Sequence, residues 1–160
     1  MQDPFPGIGQ RRPFAGNKKI IMVTDPISDM LIHIKNAQAV GHEQVALPFS
    51  KVKFRIAEIL KAAGYLADVE RKNKPARPGQ GGKTEHEYLY LTLKYQDNEG
   101  ALSGLKLISR PSRRMYIKAK EIKPVRSGHG LAVISTPKGI MDSKEARKNN
   151  LGGEILFEVW

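Results

Sequence analysis

Residues 131–148 read Leu131-Ala-Val-Ile-Ser-Thr-Pro-Lys-Gly-Ile-Met-Asp-Ser-Lys-Glu-Ala-Arg-Lys148. The apolar run 131–135 predicts a buried strand, Thr136 to Gly139 is turn chemistry, and 139–141 predicts a returning strand. A short helix over 143–149 follows, capped by Asp142 or Ser143 and ended near residues 150–153. Strand, turn, strand and short helix in succession point to a β-rich unit. Candidate strands at 104–109, 114–118 and 154–160 surround it. Residues 99–160 are therefore expected to form a mainly antiparallel β domain with one short helix.

Toward the N-terminus the pattern changes to helical spacing. Thr24-Asp25-Pro26 predicts a helix start, with Asp25 capping and Pro26 in the first turn. Ile27, Met30, Leu31, Ile34 and Ala37, with Val40 after them, form one apolar stripe that Gly41 closes. A short strand over 45–47 precedes Pro48. The next helix is expected to start at Ser50 and bury Val52, Ile56, Ile59, Leu60 and Ala63, with Gly64 in the left-handed position past its end. Its exposed face would carry Lys51, Lys53 and Arg55. Strands at 65–69 and 88–95 flank a Pro-, Gly- and Lys-rich loop, 71–85. The order α-β-α-β-β predicts a small α/β domain over 22–98, bounded by Asp97-Asn-Glu-Gly100. The expected fold class is α/β in the α+β sense, with two small domains behind a flexible, basic extension at 1–21.

Charge is unevenly distributed. The 160 residues carry 27 Lys and Arg against 16 Asp and Glu, a net charge of +11 that favours a polyanionic partner. Residues 101–160 hold 12 of the basic side chains and only 5 of the acidic ones, so the β domain is the expected binding half. With no cysteine, disulfides and thiolate metal sites are excluded. No apolar run approaches the roughly 18 residues of a membrane span, so a cytoplasmic protein with no membrane partner is expected.

Catalytic chemistry finds no support in the pattern. His33, His42, His86 and His129 are scattered without a second ligand at metal spacing, and Gly79-Gln-Gly81-Gly82 lacks the strand and helix of a phosphate loop. Neither an enzyme, a metal nor a cofactor is expected. The run Arg110-Pro-Ser-Arg113-Arg114-Met-Tyr116-Ile-Lys118-Ala-Lys120 differs in kind. On a strand, alternation sends Arg114, Tyr116, Lys118 and Lys120 to one face and Met115, Ile117 and Ala119 to the other. Cations beside an aromatic ring suit a nucleic-acid backbone with a stacked base or sugar, although a solvated amphipathic strand would read the same way. In Ser135-Thr136-Pro137-Lys138-Gly139 the hydroxyls can donate and accept, the lysine adds charge and the glycine admits close approach. The same five residues also make a generic tight turn.

Residues 131–148, together with Gly152-Gly-Glu-Ile-Leu-Phe-Glu-Val-Trp160, closely resemble the C-terminal signature of bacterial small-subunit ribosomal protein eight. Thr24-Asp-Pro-Ile-Ser-Asp-Met-Leu-Ile-His-Ile-Lys-Asn-Ala37 is similar to that family's first helix. The resemblance covers residues 22–160. It implies a non-enzymatic, two-domain protein that binds the central domain of small-subunit ribosomal RNA directly, helps assemble the subunit platform, neighbours small-subunit proteins five and twelve, and represses its own messenger RNA. By motif match Ser135, Thr136, Lys138 and Gly139 take the RNA-contacting loop, Tyr116 the aromatic contact, and Glu154 a place beside the loop. Arg113, Arg114 and Lys118, with Lys35, Lys51 and Lys53 on the helices, complete the expected interface. Three departures stand out. Pro137 replaces a hydroxyl common among relatives, His33 and Lys35 stand where threonine and arginine are usual, and the 71–85 loop looks long. Residues 1–21 match nothing in the family, being either a lineage-specific extension or a start placed too early.

Overall fold

The structure is a computed structural model and describes residues 25–74 and 86–160. The expected extension at 1–21 and residues 75–85 of the expected loop lie outside the described residues.

Helix α1, Pro26–Val40, begins as its sequence dictates. Asp25 Oδ1 accepts from the amides of Ile27 and Ser28, and Asp25 Oδ2 accepts from the Ser28 hydroxyl at 2.6 Å. Met30, Leu31 and Ile34 are buried, whereas Val40 in the last turn is 72% exposed and does not join their stripe. Gly41 ends the helix at φ +82, the left-handed conformation that glycine adopts without a Cβ clash. Strand β1, Gln44–Pro48, follows and leads into α2, Lys51–Ala62. Tyr65 N donates to Leu60 O and Gly64 N to Lys61 O, with Gly64 at φ +88, closing α2 in a Schellman turn.

Two expectations for α2 fail together. Val52 is 42% exposed and Lys53 is buried, because the inward stripe runs through Lys53, Ile56, Ala57 and Leu60 at i, i+3, i+4 and i+7. The lysine stem serves as apolar cover at the helix start. Ala63 is likewise exposed, and Ser50 stands at the N-cap without a side-chain cap bond.

Strand β2, Leu66–Lys74, is longer than the expected 65–69 because it pairs with β3, His86–Leu93, as far as Lys74 opposite His86. Cross-strand pairing thus carries regular structure into the loop expected at 71–85. The three strands form an antiparallel sheet in the order β1-β3-β2, with the helices packed on the face that buries Leu47, Leu66, Leu89, Leu91 and Leu93. A miniature hairpin of β4, Tyr95–Gln96, and β5, Glu99–Gly100, stands at the expected boundary. Its two-residue turn places Asp97 at φ +51 and Asn98 at φ +64, a conformation that aspartate and asparagine tolerate.

The second unit holds β6 (Leu105–Leu107), β7 (Tyr116–Ile117), β8 (Leu131–Thr136), β9 (Gly139–Asp142), α3 (Ser143–Lys148) and β10 (Gly153–Val159). β10 is its axis. β8 lies along one side of β10, while on the other side β7 pairs with Gly153 and Glu154 and β6 with residues 157–159. A bulge between Ile155 and Phe157 permits this change of partner, and Leu156 O there accepts from Ile108 N and Ser109 N.

The strand expected over 114–118 shrinks to two residues. Arg110 and Arg113 close a tight bridge, Ser109 Oγ accepts from Met115 N, and residues 119–121 wind into a 3-10 turn. Lys120 therefore leaves the expected alternation, and Met115 is 37% exposed.

The two units share one core. Leu131, Val133, Phe157 and Val159 from the second join Met30, Ile56, Leu60 and Leu91 from the first in a continuous buried cluster. Arg55 Nε also donates to Ile140 O at 3.1 Å, tying α2 to β9. The hairpin β8–β9 is thereby fixed relative to the helical layer.

Candidate nucleic-acid interface

The turn between β8 and β9 is built by its own side chains. Thr136 pairs with Gly139, leaving Pro137 and Lys138 as the connection. Proline presets its φ for the turn, and Gly139 follows at φ +117, where a side chain would be strained. Thr136 is buried, and its Oγ1 donates to Gly139 O at 2.8 Å while accepting from Lys138 N at 3.2 Å. The threonine hydroxyl thus closes the turn from inside. Thr136→Ala is expected to lower stability by about 1 kcal/mol, measured by thermal denaturation, because it removes the hydroxyl's bonds to the Gly139 carbonyl and the Lys138 amide.

Ser135 is placed differently. It is half-buried, lies opposite Glu154 of β10, and lines an open cleft of about 720 Å³. Tyr116, Lys118, Pro137, Asn150 and Glu154 share that cleft. Tyr116 is 73% exposed and pairs with Glu154 across β7–β10, so an aromatic face and a serine hydroxyl flank one carboxylate. Arg114 Nη1 lies 3.1 Å from Glu154 Oε1, which neutralises a charge that would otherwise repel phosphate. The carboxylate remains an acceptor, able to take hydrogen bonds from amino or hydroxyl donors that a phosphodiester lacks.

Close backbone approach makes the cleft. A Cβ at Gly153 would stand 2.1 Å from Ser135 O, and one at Gly152 would stand 2.6 Å from Ile117 O. Only glycines let β10 enter between β7 and β8 at this depth.

The expected site residues therefore fall into groups. Ser135, Tyr116, Lys118 and Glu154 line the cleft, and Arg114 joins them through its pair with Glu154. Lys138 and Gly139 stand exposed at the turn beside it, and Arg113 is exposed in the bridged turn before Arg114. Lys35 and Lys51 are exposed on α1 and α2 and do not line the cleft; Lys51 lies one helical turn before Arg55, which reaches β9. Lys53 is buried and does not belong to the exposed cationic face. Asn150, absent from the expected set, lines the cleft from the left-handed position at φ +54 after α3. Its sequence signal is that of a helix-ending asparagine, which the expected stop near 150–153 absorbed.

Comparison with known proteins gives a consistent result. Residues 25–160 match the family described as Ribosomal protein S8. The chain is 46% identical over 144 residues to small ribosomal subunit protein uS8 of Persephonella marina, covering 87% of this chain and 100% of the relative. It is 45% identical over 139 residues to the uS8 protein of Mycoplasmopsis pulmonis, covering 87% of this chain and 98% of the relative. The uS8 protein of Staphylococcus haemolyticus is 46% identical over 139 residues, covering 86% and 98%.

Proposed function

This chain belongs to the ribosomal protein S8 family, a structural and non-enzymatic component of the small ribosomal subunit in the cytoplasm, and we propose that it binds the central domain of small-subunit ribosomal RNA directly. The observation that carries the proposal is the cleft in which Tyr116, Ser135, Lys118 and the Arg114–Glu154 pair converge beside the Pro137–Lys138 turn. It joins a stacking surface, a hydroxyl, an acceptor and a cation within one concavity. Such a set suits an irregular RNA helix, whose shallow groove offers ribose hydroxyls and displaced bases while its deep groove hides base edges.

In this reading Ser135 supplies the hydroxyl contact, Thr136 shapes the turn, Tyr116 stacks, and Lys118, Lys138 and Arg113 meet phosphates. Lys35 and Lys51 extend the cationic surface onto the helices. The bound protein organises the subunit platform next to small-subunit proteins five and twelve, and the same cleft, meeting a similar fold in its own messenger RNA, represses translation. The β unit over 99–160 is the RNA-binding domain, and 22–98 is the domain that braces it.

Chemical footprinting of the central-domain RNA with the full chain tests this. Protection confined to one irregular helix supports the proposal, and uniform protection rising with protein concentration refutes it. Ser135→Ala is expected to weaken binding about tenfold without changing the salt dependence, because a hydroxyl contact releases no counterions.

A further inference from the structure

A separate cleft, of about 220 Å³, opens between the segment after β7 and helix α3. Lys123 lines it from that segment, and Lys144 and Arg147, three residues apart on one face of α3, line it from the helix. All three side chains are exposed. Among the described residues none of them has an ion-pair partner. No acidic side chain lines the cleft. Of the neighbouring acids, Glu121 Oε2 accepts from Lys118 N and lines the first cleft, Asp142 Oδ1 accepts from Glu145 N, and Glu145, exposed on α3, does not line this cleft.

One further feature favours an anionic occupant. Ser143 lines the cleft, and its hydroxyl has no hydrogen-bond partner among the described residues. Three like charges drawn into one concavity repel one another, and no acidic side chain lines it to relieve them.

We propose that this cleft is a second phosphodiester-binding site, taking the backbone of RNA that extends past the Tyr116 cleft. An RNA strand is favoured over an acidic protein surface by continuity. Ala119 and Glu121 line the first cleft and Ile122 and Lys123 the second, so one short segment runs from one to the other. The inference rests on the reading of the chain as an RNA-binding protein and adds residues outside the expected site.

The test measures the salt dependence of binding by the full chain to two RNAs: the central domain and an unrelated duplex of equal length. The variant Lys123→Gln/Lys144→Gln/Arg147→Gln is compared with wild type and with Lys123→Arg/Lys144→Arg, which keeps the charge. The triple variant should flatten the slope of log affinity against log salt by about 2 units on both RNAs, at roughly 0.7–0.9 per phosphate contact. The arginine variant should keep the wild-type slope and controls for folding. An unchanged slope in the triple variant overturns the inference. So does a triple variant that retains RNA binding but loses binding to polyglutamate, since the cleft then serves an acidic polypeptide. The unrelated duplex separates this inference from the one above. If wild type shows no preference for the central domain, the ribosomal target fails, while the slope difference on the duplex still decides the cleft.

Discussion

Replacing Phe157 by alanine is expected to cost about 3–5 kcal/mol of folding free energy and to destabilise both halves of the molecule together. Phe157 is fully buried in a cluster that takes Met30 and Ile56 from the helices and Val133 and Val159 from the second sheet. It lies just past the bulge at which β10 changes partner, where it pairs with Leu107 and Val133. Removing the ring opens a cavity in the cluster that joins the two units. The single tryptophan, Trp160, reports on the second unit, while α1 and α2 dominate the far-ultraviolet circular dichroism. Denaturant titrations followed by both signals should coincide in wild type and shift together in Phe157→Ala. Two separated transitions would contradict the shared core.

Tyr116→Ala carries the largest expected effect on binding. The side chain is 73% exposed and adds little to the core, so the variant should fold with nearly unchanged stability. Its strand pairing to β10 runs through the backbone and survives the change. Loss of a stacked base–aromatic contact costs about 1–3 kcal/mol, so affinity for the central-domain RNA should fall roughly five- to 150-fold. Tyr116→Phe, which keeps the ring, should recover most of the loss. Equal affinity in the alanine variant would remove the tyrosine from the interface.

Much of this arrangement can be read from local chemistry. Asp25 and Pro26 announce α1, Gly41 and Gly64 end the helices in the left-handed conformation, and the alternation of apolar run and turn over 131–142 fixes the hairpin. These features depend on residues within one or two turns of each other, so the sequence displays them directly. The remaining features depend on distant partners. Lys53 and Val52 exchange burial because the packing of α2 against its neighbours in the fold, not its own propensity, decides which stripe faces inward. β7 is cut short by the Ser109 hydroxyl holding Met115, and β2 is extended by its pairing with β3.

The candidate site divides along the same line. Ser135 and Thr136 are adjacent hydroxyls and look equivalent in sequence, yet one lines a cleft and the other closes the turn beneath it. That difference follows from the side-chain alternation of β8 combined with the turn geometry. The cationic cleft of Lys123, Lys144 and Arg147 assembles residues more than twenty positions apart through the docking of α3, and spacing along the chain gives no hint of it.

The most direct test of the account is the ratio of affinities of the full chain for central-domain ribosomal RNA and for an unrelated RNA of equal length at one near-physiological salt concentration. The account predicts a ratio of about a thousandfold or more that collapses in a Ser135→Ala/Tyr116→Ala double variant. A ratio near one, with affinity following RNA length and salt alone, would contradict it.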